Sequence, residues 1–465
     1  MIEKREPQQT LANEIDLRKS REYSIKDGFF YALMTGFGTS FITPFALRLG
    51  ATISDIGLLQ TLPQLLSGLL QLSYAKITTL FKSRKEIVVK LVSIQALMWI
   101  GLILVSLYAK NSAINWLIAI YSIYVISEAL ANPAWTSWMG DLVPEKHRSE
   151  YFGKRNEITG FGAFIALIIA GWLLGFFEDL FSGLAAFTIL FSIAFVARMV
   201  SIYYLTKKIE PRTEITVKEN SFAHFLIHLR ETNFGRLVIY QSVLTFAVFV
   251  SAPYFAVHML ENLGFDYFTF ALIISSSQIT LFLTMVYWGH EIQRIGNKTT
   301  LYASSLVIGL VPIWWILFKN PLYLFIIELF TGIGWAGHRI ASLNMILKNT
   351  PQEEKTRLVA YYNFFQGITI FAGSMVGAVL AGFFHDNPTI LGTGLMGVFL
   401  VSGVLRLLSV ILFLPRIQDT ESTPIKSKSL LVKLVTIYPM RSAMAEIQFG
   451  IKHSINTAKK ISKIK

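Results

Sequence analysis

The sequence predicts an all-α membrane protein with about twelve spanning helices in two six-helix bundles. Three observations carry that expectation. Long apolar runs follow one another through the 465 residues, which are 53% hydrophobic and 15% charged with mean hydropathy +0.52. A soluble chain carries about a quarter charged residues. The Lys and Arg residues fall almost wholly on one side of those runs, and the second half of the chain repeats the first.

Spanning a bilayer takes about 20 mostly apolar residues. Twelve segments satisfy this, at about 28–48, 54–75, 87–109, 114–140, 156–177, 184–205, 236–260, 267–290, 299–318, 320–347, 358–384 and 390–415. Residues 1–27 form a polar N-terminal segment of mixed charge. No small-residue cleavage site follows the first apolar run, so that run is expected to stay as an uncleaved anchor. Residues 28–205 hold the first six segments, 206–235 a polar linker, 236–415 the second six, and 416–465 a basic tail. Within that tail Met444, Ile447, Ile451 and Ile455 recur at helical spacing beside Lys452 and Lys459, the pattern of a helix lying on anionic lipid.

Of the 42 Lys and Arg residues, only Arg48, Lys110 and Lys319 fall on the opposite side from the rest, and Arg198, Arg339 and Arg406 fall inside apolar segments. The positive-inside rule then places both termini in the cytoplasm, in the inner (plasma) membrane. The same placement accounts for the net charge of +13 without a nucleic-acid partner. With no cysteine in the chain, disulfides, thiolate metal sites and thiol catalysis are excluded. No nucleotide-binding loop or hydrolase signature occurs, so no cofactor and no enzymatic reaction are expected, and uphill work must draw on a gradient.

The organising stretch is Asn132 to Gly160, where one apolar segment ends in a charged turn at Pro144 and the next leaves after Asn156. At an offset of 207, Pro144 falls on Pro351, Asn156 on Asn363, Gly160 on Gly367 and Gly175 on Gly382. Two parallel copies of six segments follow from this.

Asp141-Leu-Val-Pro144, Arg148 and Tyr151-Phe-Gly-Lys-Arg-Asn156 resemble the major facilitator superfamily. The resemblance extends over about 28–415. It implies two six-helix bundles around a central cavity that opens alternately to either side. The family's turn after segments 2 and 8 survives in part as Gly289 to Lys298, with Gln293 at the usual Asp position.

Glu128 is the acid singled out first. It falls near the middle of the fourth segment, where a carboxylate costs several kcal/mol unless paired or protonated. It is expected to carry a coupling proton, although packing as a protonated, bonded group would also account for it. Asn132 lies one turn away on the same face. Arg339 is the corresponding basic residue on the tenth segment. It has three readings: binding an anionic solute, pairing with Glu128, or snorkelling to the near surface. His338 beside it is a candidate contact or a satisfied structural histidine. Gln64, Gln241, Asn363 and Gln366 complete the expected solute contacts, with bridging between helices as the alternative. Arg198 and Arg406 are expected to reach head groups or to clamp their bundles. Asp141, at a helix C-terminus where the dipole disfavours an anion, should need a cation from Arg148, Arg155 or Arg84 and act with Arg148 and Arg155 in gating.

These features favour a secondary transporter of a small polar or anionic solute, driven by protons, contacting membrane lipid and monomeric by default. The alternative is a transporter-fold sensor or scaffold whose tail recruits a partner or binds lipid.

Overall fold

The computed structural model describes residues 7–78, 80–108, 112–144, 148–180, 183–211, 222–350, 355–386 and 394–419. The basic tail, including its amphipathic stretch, lies outside the described residues.

Twelve long helices follow one another: α1 Pro7–Phe37, α2 Ile53–Gln71, α3 Arg84–Tyr108, α4 Ala113–Leu142, α5 Arg148–Leu180, α6 Gly183–Lys207, α7 Asn233–Phe249, α8 Tyr267–Ile295, α9 Asn297–Leu317, α10 Pro321–Asn349, α11 Lys355–Asp386 and α12 Gly394–Phe413. Among the described residues there is no strand. The first helix starts well upstream of the first apolar run, because its polar turns continue the same rod. After α1 the chain breaks at Gly38 and re-forms as the short helix Ile42–Arg48. Helix starts are chemically marked. Thr52 and Asp55 make a capping box for α2, Asp266 accepts from the Thr269 amide at 2.6 Å for α8, and Asn320 with Pro321 opens α10.

Among the described residues, ten helices are long and apolar enough to cross a membrane. The two that fall short of that apolarity are α2 and α10, which carry Gln60 and Gln64, and Glu328, His338 and Arg339. Both border or flank the interior, where polar residues escape lipid.

Helix pairing repeats with a shift of six. In the first half α1 packs on α5 and α6, α3 on α4 and α6, and α2 on α4; in the second α7 packs on α11 and α12, α9 on α10 and α12, and α8 on α10. The halves meet along α2–α11 and α5–α8, which the same shift exchanges. Gly373 and Gly377 seat α11 directly on the carbonyls of Phe246 and Val250, so a side chain at either would push α11 off α7.

Candidate functional site

Two cavities open inside the described residues. The first, of about 360 Å3, lies within the first half and is bordered by α1, α3, α4, α5, α6 and one face of α8. The second, of about 640 Å3, lies between the halves and is bordered by the ends of α1 and α7, by α2, α8, α9 and α10, and by Arg406 of α12. Gln278 of α8 borders both.

Glu128 faces the first cavity. It accepts a hydrogen bond from the Tyr31 hydroxyl on α1 and one from Gln95 Nε2 on α3 at 3.1 Å. Gln95 is fully buried and its Oε1 accepts from Arg198 Nη2. Arg198 Nη1 donates to Ser201 at 3.2 Å, and Ser201 donates to Asp27 Oδ1 at 2.9 Å. Asp27 Oδ2 is ion-paired with Lys208 Nζ at 3.1 Å. One polar chain therefore joins Glu128 to the start of the linker. Lys208 is fully buried above the Trp138 ring at 5.0 Å. Burial pulls its ammonium below the usual lysine range, and the charge of Asp27 opposes that shift.

Asn132 borders the same cavity, where it accepts from Thr136 at 3.1 Å. Arg155 borders it too. Its guanidinium stacks 4.6 Å from the Trp135 ring and its Nε donates to the Ser24 carbonyl at 3.1 Å. Asp141 is ion-paired at 2.7 Å with Arg84, one of the three expected cations. Arg84 is 6% exposed and also holds Glu210 at 3.3 Å. The side chain of Arg148 lies outside the described residues.

Arg339 borders the second cavity with an exposed side chain and meets no carboxylate among the described residues. The pairing of Arg339 with Glu128 is not made. The two charges open into different cavities, and Glu128 already has two donors of its own. Glu328 shares the second cavity and accepts from Trp315 Nε1 at 3.2 Å.

His338 and Gln241 border neither cavity. His338 Nε2 meets Gln241 Oε1 at 3.0 Å, its Nδ1 meets Ser305 at 3.1 Å, and Gln241 Nε2 donates to Ser342 at 2.6 Å. This closed polar chain ties α7, α9 and α10 together, which is the structural reading of the histidine. Asn363 likewise bridges helices, donating to Gln71 Oε1 at 2.9 Å across the α2–α11 seam. Gln366 accepts from Thr245 at 2.5 Å, and Gln64 lies on the face of α2 whose backbone abuts Gly367.

Of the two expectations for Arg198 and Arg406, snorkelling fails and clamping holds. They are 4% and 3% exposed, and each reaches across its own half. Asp27, Gln95 and Lys208 escaped sequence reading. Asp27 stands just before the first apolar run, Gln95 is a lone amide in one, and Lys208 passes for another linker charge. A carboxylate directly preceding an apolar helix, with a lysine directly following another, was the available signal.

A family model described as Major Facilitator Superfamily matches residues 28–254 and 237–451. Two curated relatives, both multi-drug resistance efflux pump PmrA homologs, are similar over shorter stretches. The protein of Lactococcus lactis subsp. lactis (strain IL1403) is 26% identical over 129 residues, 28% of this chain and 32% of that one. The protein of Lactococcus lactis subsp. cremoris is 35% identical over 78 residues, 17% of this chain and 65% of that one. The chain thus matches less than two thirds of either relative's length. Among solved structures, the nucleoside transporter NupG superposes with a TM-score of 0.63 at 13% identity, covering 86% of this chain and 100% of that one. The POT family transporter PepTSo gives 0.64 at 11% identity, covering 89% and 98%. FucP in its outward conformation gives 0.55 at 15% identity, covering 86% and 99%. These likenesses concern the fold.

Proposed function

Since the chain belongs to the Major Facilitator Superfamily, and so is a multi-pass secondary transporter rather than an enzyme, we propose that it moves a small anionic organic solute by alternating access, with Glu128 carrying the coupling proton. The observation that carries this reading is the charge of the cavity walls. Asp27, Glu128 and Glu328 supply the acids; Arg155, Arg198, Arg339 and Arg406 supply the cations. Asp27 is already matched by Lys208. The remaining lining is cationic, and Arg339 has no acceptor of its own among the described residues. A cation facing a cavity in a low-dielectric setting favours an anionic guest.

Trp135, Phe282 and Leu205 add apolar wall to the first cavity, which suits a solute with an apolar or aromatic body. Glu128 is suited to proton coupling because both its donors are neutral groups, so no fixed cation touches it. The bundles proposed to rock are 28–205 and 236–415, in the plasma membrane with both termini cytoplasmic, as the Lys and Arg bias supports.

The test is uptake into proteoliposomes under an imposed pH gradient, using radiolabelled mono- and dicarboxylates, with a sugar and an organic cation as controls. Accumulation of a carboxylate that a protonophore abolishes is expected, and Glu128→Gln should lose the response to the gradient. Accumulation confined to the sugar or the cation, or an undiminished gradient response in Glu128→Gln, counts against the reading.

A further inference from the structure

We infer that Arg198 and Arg155 form an anion-binding subsite in the first cavity, and that Glu128 sets its affinity through Gln95. This rests on the anionic-solute reading and names the groups that receive the charge. Arg198 is 4% exposed and borders the cavity. A guanidinium carries five N–H donors in a fixed fork. Here Nη1 is spent on the Ser201 hydroxyl and Nη2 on the Gln95 amide oxygen, both neutral acceptors. The face of Tyr31 lies 5.0 Å away, and the Nε–H is buried without an acceptor among the described residues. No carboxylate stands within ion-pair distance of Arg198 among the described residues. A buried cation left in this state is costly, and an arriving anion offsets that cost.

Arg155 supplies the second half of the subsite from another wall. Only its Nε is engaged, by the Ser24 carbonyl, and neither Nη has an acceptor among the described residues. Stacking on Trp135 fixes the plane of the guanidinium. Gly28 makes the position available, since a Cβ there would lie 2.7 Å from Arg155 Nη2.

Gln95 couples this subsite to Glu128. Because Arg198 can only donate, it holds the Gln95 oxygen toward itself, and the amide nitrogen must then face Glu128, at 3.1 Å. The orientation cannot flip without setting donor against donor. Glu128 is therefore the carboxylate one amide away from Arg198, and it competes with an incoming anion for that field. Asp27 stands one hydroxyl away on the other side but is matched by Lys208. The other titratable groups facing Glu128 are Tyr31 of α1 and Tyr121 and Tyr124 of its own helix, while α3 presents the neutral amide Gln95. Protonating Glu128 removes the competing charge. By linkage, a proton on Glu128 then favours an anion on Arg198, and a bound anion favours the proton. Proton and anion load together, which makes the cycle a symport.

The experiment titrates the detergent-solubilised chain with benzoate, and with benzamide as the neutral analogue, by calorimetry at about pH 5.5 and about pH 8, either side of neutrality. Benzoate should bind at least about tenfold more tightly at the lower pH, and benzamide should not bind. Arg198→Gln should weaken benzoate about tenfold or more, Arg155→Gln somewhat less, and Arg198→Lys should retain part of the affinity and control for folding. Glu128→Gln should hold the low-pH affinity at both values, and Gln95→Leu should bring the two within about twofold. If Arg339→Gln abolishes benzoate binding while Arg198→Gln and Arg155→Gln bind as the parent does, the subsite is wrong and the anionic-solute reading stands. If benzoate does not bind the parent, or benzamide binds as well, both fall. An unchanged pH ratio in both Glu128→Gln and Gln95→Leu overturns the coupling.

Discussion

Arg406 is a full charge in the middle of an apolar helix, and a proline 94 positions earlier in the sequence explains it. Pro312 has no N–H, so the Ile308 carbonyl loses its helical donor. Arg406 Nη1 supplies that donor at 2.9 Å, while Nη2 serves the Val248 carbonyl at 3.2 Å and Ser251 at 2.8 Å, where α7 breaks. The guanidinium is thus a cap for interrupted helices. Gln71 does the same on a smaller scale, reaching the Ala129 carbonyl that Pro133 leaves free, at 3.5 Å. Arg406→Leu should lower stability by about 1–3 kcal/mol, since it strands the buried Ile308 carbonyl. Restoring the Ile308 partner with Pro312→Ala should recover at least about 0.5 kcal/mol of that loss. Unfolding in detergent across the four-member cycle checks this, and strictly additive effects would sink the explanation. The charge itself was plain in the sequence, but its job was not, because donor and carbonyl are 98 residues apart and meet only through packing.

At the scale of elements, each half ends on a carboxylate that pins the first turn of its third helix. In the first half Glu210, just past α6, accepts from the Arg84 amide at 2.9 Å and from its side chain. In the second, Asp419, just past α12, accepts from the Lys298 amide at 3.1 Å and pairs with Lys348 at 3.4 Å. The first clasp is extended by Lys85 Nζ to the Lys208 carbonyl at 2.6 Å and by Trp138 Nε1 to the Ile209 carbonyl at 2.9 Å. The linker therefore begins as part of the first half. Arg84→Ala should free residues 209–211 and open the buried Lys208 to trypsin. The cost should be about 2 kcal/mol, less than for a fully buried pair because Asp141 is about a third exposed. Arg84→Lys should recover little, since a lysine cannot hold Asp141 and Glu210 in one fork. Unchanged digestion in Arg84→Ala would refute the clasp. Charge counting reached one arm of this clasp. It offered Arg84 among Asp141's cations, but Glu210 sits in a polar stretch with no apolar period to mark it as ordered.

For the whole molecule, spans and repeat were legible because each rests on a signal summed over many residues. Which helices meet across the halves was not, since every apolar face looks alike in sequence. The structure resolves this into two seams, α2–α11 and α5–α8. At one end of the first seam Tyr254 donates to the Ser374 carbonyl at 2.7 Å, and Ser374 donates to the Gly57 carbonyl at 3.3 Å. If the halves rock, this seam must open in one of the two states. A Cβ placed on Gly57 would lie 3.1 Å from Ser374 Oγ, so two cysteines there come within disulfide reach. The chain has no cysteine of its own, so Gly57→Cys with Ser374→Cys can be made without background. Oxidised protein should lose at least about nine tenths of carboxylate uptake. Because the seam is shut in this conformation, the crosslink should keep benzoate binding in the first cavity, and a reductant should restore uptake. Uptake at the parental rate with the crosslink quantitatively formed would mean that the halves do not part along α2–α11, and alternating access would have to be sought at α5–α8 alone.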